Sequence, residues 1–289
     1  MEILNKNSIF PKDVSLILGF FDGIHLGHCK VIESIMHTKK SVLVTFTTSP
    51  AEFFNKKTEY IYPRNFSYNL LESKGIDYIL EYDFSEVVNL SAEEYLKDLI
   101  ENFNPASITT GFNHSFGANK SGDSSFLKTK QADFGYKYFC VPEYKHNGYP
   151  VSSTNIKKLL SNGEIELANS LLGRNFSITS RVEEGARLGR EIGFPTANLI
   201  YPENIVRIPH GVYVAKVLNK PAIFNWGVKP TVGSDKEVVE VHIPNFTGNL
   251  YSKDLNIEII RKIRDEKKFN NIEELKLQIC EDVEQCLKL

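Results

Sequence analysis

The sequence predicts an α/β domain followed by a small, mostly antiparallel β-barrel with a C-terminal helix. A chain of 289 residues suits about two domains. Its first half alternates apolar strands with helical segments, in the manner of a doubly wound α/β sheet. Its second half changes to short strands that are separated by Gly, Pro and Asn turns.

Composition and charge limit the class of protein. Hydrophobic residues make up 42% of the chain and aromatic residues 11%, which is enough to build packed cores. A net charge of −2 gives no general attraction to nucleic acid or to an anionic membrane, so we expect neither as a partner. No apolar run resembles a signal peptide or a membrane span. The four cysteines lack metal-binding spacing, and reduced thiols and a cytoplasmic location are expected.

The first half begins with a strand, a glycine-rich loop and a helix. Ser15–Phe21 reads as a buried strand, Asp22–His28 as the loop, and apolar residues then recur at helical spacing through Met36. This arrangement points free N–H groups at an anion. The other elements predicted here are strands at Val42–Phe46, Tyr78–Leu80 and Ser107–Thr110, a helix that Ser91 opens with a capping box, and helices near Asn155–Ser161 and Glu164–Leu172.

Two histidines stand out in this loop. His25 and His28 are three residues apart, so they share a face if the helix begins near His25. Two imidazoles there can donate to the bridging phosphates of ATP during nucleotidyl transfer. A zinc pair and structural histidines are the alternatives, although no third zinc ligand follows at a suitable spacing.

The motif Gly-x-Phe-Asp-Gly-x-His-x-Gly-His, from Gly19 to His28, resembles the FMN adenylyltransferase module of bacterial bifunctional FAD synthetases. Gly111–Gly117 and Ser152–Lys157 resemble two further motifs of that module. The resemblance implies a Rossmann-like nucleotidyltransferase domain in which His25 and His28 are catalytic and Asn113 binds flavin. The residues that it implies for ATP or phosphate are Gly19, Asp22, Gly23, Gly27, Ser152, Ser153 and Thr154.

The first half also departs from the pattern of this family. The departures are Phe20, Ser49, Asn113-His114-Ser115 and Lys157, where the family usually has Asn, His, Asp-Phe-Arg and Arg. A carboxylate and two guanidinium groups are therefore replaced. One alternative is thus a kinase whose N-terminal domain is catalytically idle.

The stretch Gly185–Leu199 holds three glycines, two arginines and a Pro-Thr-Ala-Asn turn, without helical or strand periodicity. Glycine permits close approach to a ligand, and arginines and free amides suit phosphate oxygens. Thr196 and Asn198 offer neutral oxygens of the kind that Mg²⁺ accepts beside phosphates. Composition alone also fits a surface loop. The resemblance of this stretch to the signature of riboflavin kinases implies that ATP or phosphate is bound by Gly189, Arg190, Gly193, Pro195, Thr196 and Asn198, of which Thr196 and Asn198 also bind the metal.

This stretch resembles the signature of riboflavin kinases, and five further segments match the bacterial kinase domain in order. They are His210–Tyr213, Asn225–Thr231, Val239–His242, Leu250–Tyr251 and Ile263–Phe269. The strands predicted around them are Phe176–Val182, Gly211–Leu218, Ala222–Val228, Val238–Ile243 and Leu255–Ile260, followed by a helix capped by Asn271. We place the domains at residues 1–172 and 173–289.

Glu240 and His242 alternate with valines, so their side chains point to one face of the predicted strand. Without the resemblance, this alternation favours polar side chains that face the solvent. The resemblance instead implies that Glu240 is the catalytic base, because a carboxylate can accept the proton of a hydroxyl that attacks the γ-phosphate. Arg264 is either a surface charge or a flavin-binding arginine, and we favour the second.

Together the resemblances imply an enzyme that phosphorylates riboflavin to FMN and adenylylates FMN to FAD. ATP is the co-substrate and Mg²⁺ the cofactor, and a homo-oligomer is possible. The alternatives are a riboflavin kinase with an idle N-terminal domain, and a flavin- or nucleotide-binding regulatory protein.

Overall fold

The computed structural model describes residues 1–5, 8–35, 38–184, 189, 192–231 and 234–288. The chain divides into two compact units, Met1–Ser153 (unit 1) and Thr154–Leu289 (unit 2). No helix in the described ranges combines the length and the apolar character that crossing a bilayer requires.

Unit 1 is built on a six-stranded parallel sheet, which confirms the predicted α/β class. Its strands are β1 (Glu2–Leu4), β2 (Ser15–Leu18), β3 (Ser41–Phe46), β4 (Tyr78–Tyr82), β5 (Ser107–Gly111) and β6 (Lys137–Val141). Their order is β1-β4-β3-β2-β5-β6. The two edge strands were not predicted, because β1 has three residues and β6 lacks a buried apolar run. A small hairpin of β7 (Lys145–His146) and β8 (Tyr149–Pro150) follows.

Helices cover both faces of this sheet. They are α1 (Leu26–Glu33), α2 (Pro50–Phe53), α3 (Arg64–Ser73), α4 (Phe84–Val87), α5 (Ala92–Phe103) and α6 (Ser124–Phe134). Alternate residues of β2 enter different cores, since Leu16 and Leu18 lie in one apolar cluster and Ile17 in another. Burial on both faces is the pattern expected of a parallel sheet.

Two helix ends test the sequence analysis. Ser91 forms both halves of the capping box of α5, as predicted. Helix α1 is shorter than the apolar spacing suggested, because the Ser34 hydroxyl donates to the Val31 carbonyl (2.8 Å) at its C-terminal cap. Met36 lies outside the described residues.

The strand order places a crevice at the carboxyl ends of β2 and β5. From β2 the chain moves outward to β3 and β4, and then returns to place β5 on the other side of β2. Open α/β sheets bind ligands outside the carboxyl ends of strands where the order reverses in this way. The loop that follows β2 and the loop that follows β5 therefore border one crevice.

Unit 2 contains an antiparallel sheet of six strands in the order β10-β13-β12-β11-β14-β9. A bridge between Glu183 and Asn198 joins its two edges, so the predicted barrel class is confirmed. The elements are α7 (Ser153–Asn162), α8 (Ile165–Leu172), β9 (Phe176–Arg181), β10 (Ala197–Leu199), β11 (Gly211–Val217), β12 (Lys220–Thr231), β13 (Ser234–His242), β14 (Asp254–Arg264) and α9 (Ile272–Cys286). Asn271 caps α9, as predicted.

Strand β10 corrects the sequence analysis, which found no strand periodicity in Gly185–Leu199. Ala197–Leu199 pairs antiparallel with β13. Three residues are too few for an alternating pattern to be recognisable, and this strand exists because the neighbouring strand supplies its hydrogen-bond partners.

Helices α7 and α8 connect the two sheets along the chain. The Asn169 side chain of α8 donates to the carbonyl of Ile259 (2.9 Å) and accepts from the amide of Phe176 (2.7 Å), which ties α8 to β14 and β9. Gly173 ends α8 at a φ of 73°. The domain boundary expected after Leu172 stays a prediction.

Candidate active sites

The loop after β2 is held by hydrogen bonds from distant parts of unit 1. The Asp22 carboxylate accepts from the Ile61 amide (2.9 Å), and the Ser153 hydroxyl donates to the Asp22 carbonyl (2.8 Å). Gly23 has a φ of 86°, and a Cβ atom there would lie 2.6 Å from Ile61 Cδ1. Gly23 and the buried Asp22 therefore fix the shape of the predicted phosphate loop.

The two histidines lie together at the start of α1. His25 is the N-cap, and its Nδ1 accepts from the His28 amide (3.1 Å). Their rings stack with centroids 3.6 Å apart and an interplanar angle of 11°. Because Nδ1 accepts a hydrogen bond, the neutral His25 ring carries its proton on Nε2. Gly27 leaves room for the stack, since a Cβ atom there would lie 3.2 Å from the His25 ring.

The other residues predicted for the nucleotidyltransferase site lie on separate parts of the chain. Gly19 directly follows β2, and its amide donates to the Val44 carbonyl (3.2 Å). Asn113 is exposed in the loop after β5, at the crevice end of the sheet. Ser152 is half-buried, and Thr154 is exposed in the first turn of α7.

His114 lies in the same loop as Asn113 and is neutral at pH 7. Burial lowers its pKa to about 4. Its Nε2 is buried and has no hydrogen-bond partner among the described residues, while its ring stacks on Phe116 at 5.6 Å. Where the family has a charged pair, this loop therefore presents three uncharged side chains, Asn113, His114 and Ser115.

In unit 2, sheet register brings predicted residues from separate strands into one row. Glu240 of β13 pairs with Asn198 of β10 on one side and with Asn225 of β12 on the other. The row continues through Val212 of β11 to Arg264 of β14. Directly opposed residues of antiparallel strands share a face, so these five side chains project from one side of the sheet.

A cavity of about 300 Å³ lies over this row. Glu240, Asn225, Thr196 and His242 form a polar part of its lining. The lining also has an apolar part, formed by Ile192, Phe194, Val212, Ile223, Phe269, Leu275 and Ile279. Such a lining suits an elongated ligand that is apolar at one end and polar at the other.

The segment between β9 and β10 reaches this cavity through Gly189 and Thr196. The Phe194 amide donates to the Gly189 carbonyl (2.7 Å). A Cβ atom on Gly189 would lie 2.5 Å from the Phe194 oxygen and 3.2 Å from Thr196 Oγ1, so only glycine fits this turn. Gly193 has a φ of 93°. Arg190 and residues 185–188 and 191 lie outside the described residues.

Thr196 also lines a second cavity, of about 500 Å³. Pro195 lies there as well, together with Tyr251 and the segment 246–250. The Pro195 carbonyl accepts from His242 Nδ1 (2.8 Å). Since a carbonyl only accepts, His242 must carry a proton on Nδ1. This bond ties the turn that carries Thr196 to the strand that carries Glu240.

Arg264 is held in an ion pair with Asp282 of α9. Its Nε and Nη2 donate to the Asp282 carboxylate at 3.1 and 2.8 Å, and Asp282 is only 2% exposed. Both residues line the first cavity. The Arg264 guanidinium also lies 5.9 Å from the ring centroid of Phe269.

Sequence reasoning did not name Asn225, His242 or Asp282, which are among the polar residues that line the first cavity. Asn225 opens a segment that matched the kinase domain, and His242 shares the face of Glu240, so both carried a signal. Asp282 carried a weaker signal, because it is an acidic residue three positions after the apolar Ile279 of α9, and residues three apart share a helix face.

Two family models match successive parts of this chain. The family model "FAD synthetase" matches residues 8–155, and the family model "Riboflavin kinase" matches residues 172–289. The two matches follow one another along the chain in the order that the sequence motifs predicted.

Three curated relatives are named bifunctional riboflavin kinase/FMN adenylyltransferase. The protein of Buchnera aphidicola subsp. Schizaphis graminum is 38% identical, over 97% of this chain and 93% of its own length. The Escherichia coli K12 protein is 30% identical, over 92% and 90%. The Bacillus subtilis protein is 32% identical, over 94% and 91%.

A solved structure from Streptococcus pneumoniae, described as a macrolide-efflux protein, is 27% identical and covers 100% of this chain. It matches over 99% of its own length with a TM-score of 0.89. By its two family models and its full-length relatives, the chain belongs to the bifunctional riboflavin kinase/FMN adenylyltransferase family.

Proposed function

We propose that unit 2 phosphorylates riboflavin to FMN with ATP, and that unit 1 adenylylates FMN to FAD with a second ATP. The observation that carries the kinase assignment is the row Asn198–Glu240–Asn225 beneath a cavity with polar and apolar linings. Family membership supports both activities.

In the kinase site, riboflavin fills the first cavity with its ring on the apolar lining and its ribityl chain toward Glu240. Glu240 accepts the proton of the 5′-hydroxyl as that oxygen attacks the γ-phosphorus of ATP, and the bond from this phosphorus to the β,γ-bridging oxygen breaks so that ADP leaves. Asn225 lies beside Glu240 and can bind a ribityl hydroxyl or orient the carboxylate. The second cavity, which shares Thr196, takes ATP.

The donor set at Thr196 and Asn198 fits Mg²⁺. A hydroxyl, an amide oxygen and the neighbouring Glu240 carboxylate are hard oxygen donors, and Asn198 lies directly opposite Glu240. A Mg²⁺ ion held by these oxygens would supply positive charge to offset the charge of the ATP phosphates. His242 holds the Pro195 carbonyl and thereby positions Thr196.

In the adenylyltransferase site, the start of α1 binds the ATP phosphates. An FMN phosphate oxygen attacks the α-phosphorus of ATP, and pyrophosphate leaves. His25 donates from Nε2, and the stacked His28 lies beside it to stabilise the charge that develops on the phosphate oxygens. Asn113 contacts the flavin from the loop after β5.

A kinase with an idle N-terminal domain is the second candidate. The uncharged loop at Asn113, His114 and Ser115 favours it, because the charged groups of the family motif are absent there. The presence of Ser49, where the family usually has His, is weaker evidence for an idle domain. The Ser49 side chain caps α2 by accepting a hydrogen bond from the Glu52 amide (3.1 Å).

A time course with riboflavin, excess ATP and Mg²⁺ tests both candidates. The proposal predicts that FMN rises first and then gives way to FAD, as chromatography would show. Accumulation of FMN without FAD would support the second candidate, in which only the kinase is active. Absence of both products would overturn the assignment, as would a Glu240→Ala variant with unchanged activity.

A further inference from the structure

The segment 265–269 follows β14 and contributes Glu266, Lys267 and Phe269 to the lining of the first cavity. It belongs to no helix or strand. In the described part of the chain, none of its backbone groups forms a hydrogen bond with another backbone group. Side chains therefore decide where this segment lies relative to the sheet.

Glu266 attaches the segment to β12. Strand β11 begins at Gly211, opposite Trp226, so β12 continues beyond the end of its neighbour. Two residues further along β12, the Val228 amide donates to Glu266 Oε1 (3.1 Å). The carboxylate thus gives this amide the acceptor that a longer β11 would otherwise supply.

Gly227 makes room for the Glu266 carboxylate. A Cβ atom on Gly227 would lie 1.7 Å from Glu266 Oε1 and 2.5 Å from Glu266 Cδ. The backbone itself does not require glycine here, because Gly227 lies within β12 and its φ is not positive. Glycine inside a strand often marks the close approach of another group, and here that group is the side chain of Glu266.

This contact lies beside the residues proposed for phosphoryl transfer. Residues two apart on a strand share a face, so Gly227 and Asn225 present the same side of β12. Asn225 is directly opposite Glu240 of β13. The Glu266 carboxylate therefore lies on the cavity face of the sheet, next to the neighbour of the proposed base.

We propose that Glu266 is a positioning residue of the kinase site, and that residue 227 is glycine so that Glu266 can hold the segment 265–269 against β12. The hydrogen bond to Val228 keeps Lys267 and Phe269 in the lining of the first cavity. The second cavity is lined by other segments, so ATP binding does not depend on this bond. The inference rests on the proposed kinase function.

The test is the steady-state kinetics of FMN formation by the full-length protein. Glu266→Ala is expected to raise the KM for riboflavin about tenfold, the scale of a hydrogen bond to a charged group, with little change in kcat or in the KM for ATP. Glu266→Gln keeps an acceptor oxygen for the Val228 amide and should restore most of the affinity.

Gly227→Ala tests the same contact from the other side. The added Cβ atom displaces the Glu266 carboxylate, so the KM for riboflavin should rise by a similar factor. In the Glu266→Ala background the same change should have no further effect, because nothing is left to displace. Effects that add in the double variant would mean that the two residues act separately, and would overturn the proposal.

The matched control is Asp265→Ala. Asp265 is the adjacent acidic residue, but its exposed carboxylate pairs with Lys262 and not with β12, so both KM values should stay unchanged. If Glu266→Ala does not fold, Gly227→Ala alone decides: a raised KM for riboflavin supports the proposal, and an unchanged one overturns it.

Other outcomes separate the two levels of inference. An unchanged KM for riboflavin in Glu266→Ala would overturn the positioning role while FMN formation continued. Parallel increases in the KM values for ATP and riboflavin would show a general loosening of unit 2 and also overturn it. A wild-type protein that formed no FMN would instead remove the proposed function itself.

Discussion

The two sites are built over different distances along the chain. In unit 1, His25 and His28 belong to one loop and the first turn of one helix, and a single hydrogen bond and ring stack join them. In unit 2, Asn198, Glu240 and Arg264 come from three strands and share a face only through sheet register. The first site needs one turn to form correctly, whereas the second needs the whole sheet.

This difference makes the sites separable. No residue of the His25 loop takes part in the Glu240 row, so loss of one chemistry should leave the other intact. The predictions below challenge or sharpen that separation.

The largest effect is expected from Glu240→Gln. Loss of a general base should lower the kcat for FMN formation by roughly 10²–10⁴-fold, because the amide cannot accept the hydroxyl proton. FAD formation from supplied FMN should remain at the wild-type rate. Glu237→Gln, on the other face of the same strand, is the control. Equal kinase rates for the two variants would contradict the role of Glu240.

His28→Ala should lower FAD formation from supplied FMN by roughly 10²–10³-fold, the usual loss when one donor to a developing charge is removed. The kcat for FMN formation should not change. His146→Ala, in the β7–β8 hairpin, provides a histidine control. A variant that lost both activities together would show that the sites are not independent.

Unit 1 should lose stability in acid because of His114. Its pKa is about 4 when folded and about 6.5 when unfolded, so the unfolded chain binds more protons between these values. The contribution is therefore present above pH 6.5 and is lost as the pH falls toward 4, by at most about 3 kcal/mol. His114→Phe, which keeps a ring beside Phe116, should remove this slope from the free energy of unfolding measured in urea. An unchanged slope would exclude His114 as its source.

A smaller effect is expected at His242. His242→Phe removes the donor to the Pro195 carbonyl, so Thr196 is held less firmly and kcat/KM for the kinase should fall by about tenfold. His242→Asn keeps a donor near the position of Nδ1 and should restore most of the rate. The same activity in both variants would mean that the hydrogen bond has no positioning role.

Local signals predicted much of this molecule. Ser91 and Asn271 cap their helices as their sequence context indicated, because a cap depends on a few neighbouring residues. Strand alternation also placed Glu240 and His242 on one face. The loop from Gly19 to His28 could be located for the same reason, since it lies within one short motif, and the chemistry assigned to it stays a prediction.

Long-range partners were not predictable in this way. Strand β10 depends on pairing with β13. The ion pair of Arg264 depends on the Asp282 carboxylate, which belongs to α9. The residues next to Asp282 in the sequence do not indicate that Asp282 contacts an arginine of β14. The sequence analysis therefore named Arg264 as a candidate residue, which stays a prediction, and it could not name the partner of Arg264.

The most direct test of two separable sites supplies each variant with the substrate of the step that it retains. Glu240→Gln receives FMN and ATP, His28→Ala receives riboflavin and ATP, and a mixture of the two variants receives riboflavin and ATP. We predict FAD from the first, FMN alone from the second, and FAD from the mixture through released FMN. A Glu240→Gln variant that made no FAD from supplied FMN, or a His28→Ala variant that made FAD from riboflavin, would contradict the account.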